Sequence, residues 1–264
     1  MSFNITHFRP IYLTLDGKHL LVAGYLGNIK FDLSNIDFVK RVWQEAQRKY
    51  ERMHFSTPSI RFDKSWTGEF GEQIVKYLLV SRGIEIIQRK RQIIHGYDGG
   101  DLIIKYNNKE MIVNVSSRKL SKNDDVLSVA INPHEYYCLI PVEQIGQYIN
   151  RSQLAIFVFL LGKASEKCKI ENYFIDVFTE IDFIVPGYLS AMDLKALKEN
   201  NYINIKQKGE ELKGLYNSLS YSIPMYTNNY VIPMSFLRKF KIEKEIQQLV
   251  NDIIKETKEK PYAT

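Results

Sequence analysis

Apolar and polar residues alternate from Pro10 to Leu33, PIYLTLDGKHLLVAGYLGNIKFDL, with interruptions at Asp16-Gly17 and Gly27-Asn28. A period of two sends successive side chains to opposite faces of a strand, and Asp-Gly and Gly-Asn pairs supply the positive φ angles of tight turns. The segment predicts a small antiparallel meander. Beyond it Ile36, Val39, Trp43, Ala46 and Tyr50 recur at helical intervals behind a Ser34 to Asp37 capping-box spacing, so an amphipathic helix is expected to end near Met53. HFSTPSIRFDKS, from His54 to Ser65, is rich in turn formers and lacks periodicity, and reads as a linker. A second helix is expected from about Thr67 to Ser81, with Phe70, Ile74, Tyr77 and Leu78 on one stripe and Gly83 closing it.

From Ile84 the text turns to strands: IEIIQRKRQII, then DLIIKY, the turn Asn107-Asn108, and EMIVNVSS. PHEYYCLIPVEQIGQYINRSQ leads through a short helix to LAIFVFLL, a continuous apolar run of the kind that strands covered on both faces carry. YFIDVFTEIDFIV is expected to end at Pro186-Gly187, and Ser190 with Asp193 to cap the helix AMDLKALKEN. Residues 201 to 240 are loop-rich, with NNYVIPM as a short strand. From Lys241 a charged helix places Ile242, Ile246, Leu249 and Ile253 on one stripe, which suits either its own domain or a partner helix, in a homodimer or on another protein. The order of elements gives an α/β (α+β) class, with a central mixed β-sheet flanked by helices. Its expected divisions are an N-terminal meander and helix (1–60), an α/β core (61–240) and a C-terminal helix (241–264).

Composition narrows the partners. The 264-residue chain is 45% hydrophobic and 25% charged, the balance of a folded protein. Its net charge of +6 favours anionic partners, nucleic acid first. Arg89, Lys90 and Arg91 before the DLIIKY hairpin, and Arg118, Lys119 and Lys122 after it, suit phosphate contacts along DNA. The same charges also suit a solvated strand edge protected from aggregation. Two cysteines, Cys138 and Cys168, make neither a disulfide scaffold nor a zinc site, so a reducing cytoplasm is the expected location. MSFNITHFRP lacks the pattern of a signal peptide, and LAIFVFLL is far shorter than the roughly 20 residues that span a bilayer. No phosphate-loop, dinucleotide, HExxH or GxSxG motif is present, and the five histidines never stand in ligand-spaced pairs.

Candidate chemistry sits in three stretches: GEFGEQIVKYLLVSRG, GYDGGDLII and IVNVSSRK. Together, over residues 66–120, they resemble the restriction-endonuclease-like PD-(D/E)XK nuclease superfamily. LAIFVFLL, the segment around Pro186-Gly187-Tyr188-Leu189, and NNYVIPMSFL look like its trailing part. The resemblance implies a core in which a helical Glu, a strand-start Asp and an acid-any-Lys triplet share one end of a sheet. It also implies Mg²⁺ or Mn²⁺ as cofactor, DNA as substrate, and a restriction or phage-defence role. Glu72 takes the helical position and Asp101 the strand-start position. Asn114 stands where the second acid belongs, and Ser116 where the lysine belongs.

These residue types belong together because in-line attack of water on a phosphodiester builds negative charge that a hard divalent ion neutralises, and such ions want oxygen ligands. Glu72, Asp101 and Asn114 are the implied ligands, with Asn114 contributing an oxygen but no charge. Ser116 brings no cation. Arg118, two residues further on the same strand face, is the implied charge stabiliser, although a guanidinium is no base. The expected function is therefore a DNA-binding, metal-dependent endonuclease with a weakened site. The alternative is a catalytically inactive nuclease-fold subunit that binds nucleic acid or a partner protein. Read singly, Asp101 behind Gly99-Gly100 is also an ordinary strand-starting turn residue, and Glu72 an ordinary acid near a helix start.

Overall fold

The computed structural model describes residues 3–15, 19–50, 57–87, 101–106, 109–120, 124–133, 135–150, 154–213, 222–225 and 227–239. The turns at Asp16-Gly17 and Asn107-Asn108, the basic residues Arg89, Lys90, Arg91 and Lys122, and the helix expected from Lys241 lie outside the described residues.

Two long strands, β1 (Phe3–Leu15) and β2 (His19–Phe31), form one antiparallel hairpin. The meander expected from Gly27-Asn28 is absent, because β2 runs straight through that pair. Gly27 faces the Phe183 ring, and a Cβ there would come 2.9 Å from its Cε1, so the glycine answers a close approach and makes no turn. Helix α1 (Ile36–Tyr50) buries Phe38, Val39, Val42, Trp43 and Ala46, as its periodicity requires.

The expected linker is largely helix. Helix α2 (Pro58–Val80) starts at a Thr57 N-cap whose hydroxyl accepts the Ile60 N–H at 3.4 Å, with proline in the first turn, where its missing N–H costs nothing. Phe62 and Trp66 extend the stripe of Phe70, Ile74 and Leu78 at intervals of four. The turn formers of this segment thus mark the helix start. At the other end Gly83 adopts φ +76 as anticipated, and the Ile84 N–H closes on the Leu79 carbonyl.

The remaining elements are β3 (Glu85–Ile87), β4 (Leu102–Tyr106), β5 (Lys109–Lys119), α3 (Val126–Ile131), β6 (Tyr137–Pro141), α4 (Ile145–Asn150), β7 (Leu154–Ile170), β8 (Tyr173–Ser190), α5 (Ala191–Glu199), β9 (Asn204–Lys206), β10 (Glu211–Lys213), β11 (Ser222–Pro224) and β12 (Asn229–Pro233). Seven strands form one sheet in the order β1-β2-β8-β7-β5-β4-β3, parallel at β5 and β7 and antiparallel elsewhere. The class is mixed α/β with a mixed sheet flanked by helices.

One face packs against α1 and α2, and the other against α3, α4, α5 and a small sheet ordered β6-β12-β9. Leu154, Ile156, Val158 and Leu160 of β7 enter the first core, while Ala155, Phe157, Phe159 and Leu161 enter the second, which is why this strand is apolar throughout. β8 does not stop at Pro186-Gly187. Phe157 pairs with Gly187 and Phe159 with Ile184, so Val158 faces two residues, and this bulge tolerates the proline's missing donor. The capping box of Ser190 and Asp193 opens α5 as expected. Among the described residues no helix is long and apolar enough to cross a membrane.

Candidate functional site

The hairpin of β4 and β5 pairs Leu102 with Val113, which brings Asp101 level with Asn114. The Asp101 carboxylate accepts the Val115 N–H at 2.6 Å, a charge-assisted bond that holds Oδ2 at the border of the two strands. Along β5, alternate residues take opposite faces. Val113 and Val115 pack into the core shared with α2, and Asn114, Ser116 and Arg118 look the other way. Asn114 is only 2% exposed.

Glu72 arrives on α2 from the first face. Its neighbour Gly71 lies directly on β5, where a Cβ would overlap the Ser117 side chain and stand 3.4 Å from Val115 Cγ1. Val115 is therefore the common point: Asp101 bonds its backbone, and the helix turn carrying Gly71 and Glu72 rests on its side chain. Only glycine permits that approach. Asp101 and Asn114 meet, with the Glu72 turn on the other side of the same strand.

The second face of β5 is covered. β6 pairs with β12 along one edge, to which the Tyr136 carbonyl also turns, accepting the Met234 N–H. The carbonyls of Tyr137 and Leu139 point to the opposite edge, where no strand is paired among the described residues. Ser116 Oγ donates to the Leu139 carbonyl at 3.1 Å, and the Arg118 guanidinium donates to the Tyr137 carbonyl. Arg118 also lies 5.7 Å from the Phe159 ring centroid. The residues at the lysine position and two beyond it thus dock the small sheet onto the large one.

Lys119 belongs to the α2 side, where its ammonium pairs with Asp63 at 3.0 Å and lies 4.0 Å from the Phe178 ring centroid. Of the six basic residues expected to meet phosphate, Arg118 and Lys119 fall within the described residues; Arg118 is bonded to β6, and Lys119 makes a half-exposed ion pair with Asp63. Beneath the small sheet, burial pushes the Cys138 thiol up to about 12, against the opposing charges of Arg118 and Lys239.

Tyr148, on α4, joins the same end of the sheet. It is 7% exposed and belongs to the second core with Ala155, the residue paired with Asn114. Burial raises its phenol first, and the negative charge of Asp101 raises it further, so it stays protonated.

A divalent ion at this hairpin would find one carboxylate, Asp101, and the neutral Asn114 amide, because the helix turn that carries Glu72 lies on the other face of β5. Among the described residues no three His, Cys, Asp or Glu side chains stand together as a metal cluster. One carboxylate and one amide fall short of the several oxygen ligands a hard divalent ion takes, and Ser116 supplies no lysine beside them. Sequence reasoning missed Gly71, the docking of β6 and Tyr148. A glycine inside a helical stripe was a readable sign of close packing; the other two depend on contacts that local pattern does not encode. No protein-family model matches the chain, and neither a curated protein nor a solved structure matches it.

Proposed function

We propose that this chain is a DNA-binding protein with a restriction-endonuclease-like, PD-(D/E)XK-type core whose acid-any-lysine face has been given over to packing. The observation that carries this reading is the pair of bonds from Ser116 and Arg118 to the β6 carbonyls. A strand face that must hold a metal-bound water and a phosphate has to stay open, and this one is occupied by a second sheet. The basic net charge supports an anionic partner. In this reading Asp101 and Glu72 mark the remains of a metal site, and nucleic acid is held without being cut.

A second reading keeps weak Mg²⁺- or Mn²⁺-dependent cleavage. It is favoured by the retained opposition of Asp101 and Asn114, two oxygen donors level with each other on adjoining strands. Plasmid DNA incubated with the protein in Mg²⁺ and in Mn²⁺, beside the Asp101→Ala variant, separates the two. Intact plasmid with retained DNA supports the binding protein; cleavage that Asp101→Ala abolishes supports the enzyme.

A further inference from the structure

Helix α3 is apolar nearly all round. Val126, Val129 and Ala130 are buried in the second core, whereas Leu127 is 39% exposed and Ile131 59% exposed. Their i, i+4 spacing puts those two on one outer surface of the helix. Apolar residues on both sides mark a helix that is covered on both, and the outer side is open among the described residues. The described chain ends close by. Lys239 donates its ammonium to the carbonyls of Ala23 on β2 at 3.5 Å and Pro186 on β8 at 3.2 Å, the two strands on which α3 rests. Ala23 itself packs in the same core as Val126, Val129 and Ala130.

Residues 240–264 follow this anchor, and in their sequence Ile242, Ile246, Leu249 and Ile253 recur at a 4-3-4 spacing. At about 1.5 Å per helical residue such a stripe is roughly 16 Å long, enough to cross the whole of α3. We propose that it lies across Leu127 and Ile131, making the C-terminal segment an intramolecular cover for α3. The tether favours this occupant over a second copy of the chain. Ile242 is three residues from the anchored Lys239, and so short a connection holds the stripe near α3 at an effective concentration of the order of millimolar, far above that of another copy in dilute solution. The inference is independent of the DNA-binding reading.

Hydrogen exchange on the full-length chain tests it. Amides of residues 243–254 are expected to be protected, and Leu127→Gln with Ile131→Gln is expected to speed their exchange about tenfold or more, because the stripe loses its seat. Glutamine is a good helix former, so α3 and the β7 strand beneath it should keep their own protection. Ile246→Gln with Leu249→Gln is expected to release the same amides from the other side of the contact. Light scattering should give the mass of one chain for the unmodified protein and both variants. Unchanged exchange in the Leu127/Ile131 variant seats the stripe elsewhere and overturns the inference. Free exchange of these amides in the unmodified chain also overturns it, and leaves the stripe for a different protein. So does a doubled mass that the Ile246/Leu249 variant halves, which assigns the face to a second copy. Loss of β7 protection in the Leu127/Ile131 variant overturns it as well, by placing those two side chains in the fold itself.

Discussion

Ser116 donates its hydroxyl to the Leu139 carbonyl at 3.1 Å, and so closes the free edge of β6 onto the face of β5. Arg118 repeats the contact two residues on, at Tyr137. Removing either donor removes one bond between the two sheets. Ser116→Ala is expected to cost about 1 kcal/mol and Arg118→Ala about 1.5–3 kcal/mol, because a charged donor makes the stronger bond. Urea unfolding of each variant measures this. Unchanged midpoints in both would show that the small sheet is held by its apolar core alone.

Restoring a nuclease-like triplet should carry a structural cost. Ser116→Lys drives a long side chain into the space against Leu139, so Asn114→Asp with Ser116→Lys is expected to unfold at lower urea than the unmodified protein. Full stability together with new Mn²⁺-dependent cleavage would mean that β6 moves aside easily, contrary to the docking described above.

Gly71 of α2 lies against Ser117 of β5, with no room between them for a Cβ. In an exposed helix Gly→Ala would gain about 1 kcal/mol. Here the overlap with β5 dominates, and Gly71→Ala is expected to destabilise by about 1–3 kcal/mol. Ser117→Ala should be neutral or slightly stabilising, because the Ser117 hydroxyl is buried without a hydrogen bond. Calorimetry on the two variants distinguishes packing from propensity.

The two thiols should respond differently to alkylation. Burial pushes Cys138 up to about 12, and Cys168, partly exposed, is raised by a lesser degree of burial. Thiolate is the reactive form, so an upward shift lowers reactivity at any pH below the shifted value. At pH 8 a disulfide reagent is expected to titrate one thiol, Cys168, in the folded chain and both in denaturant. Rapid reaction of Cys138 in the folded state would contradict the seal made by β6 and β12.

Asp193 caps α5 and also accepts from the Arg238 guanidinium at 2.7 Å, tying the segment after β12 to the start of the helix. Asp193→Ala is expected to cost about 1–2 kcal/mol. Arg238→Ala should cost less, since its side chain is 43% exposed and the pair is screened by solvent.

Where the chemistry was local, the sequence was legible. The Ser190–Asp193 capping box, the Gly83 closure of α2 and the doubly covered LAIFVFLL strand all follow from residues within a few positions of one another. Misreadings came where a distant partner decides. Gly27 signalled a turn but makes room for Phe183, and Pro186-Gly187 signalled a strand end but sits in a bulge opposite Val158. The turn formers before Arg61 proved to be the cap and first turn of α2. At the site, the spacing of Asp101 and Asn114 was readable because a hairpin sets their register. The use of Ser116 and Arg118 was not, because β6 lies beyond the next helix and meets them only through the edge left unpaired by β12.

Salt dependence of DNA binding tests the central claim most directly. Anisotropy of a labelled duplex, titrated from about 50 to 200 mM salt, is expected to show binding at the low end that weakens steeply, with a log–log slope reporting several phosphate contacts. The same duplex should remain intact in Mg²⁺. No binding at 50 mM salt would contradict the account, and so would prompt cleavage in Mg²⁺ that Asp101→Ala abolishes.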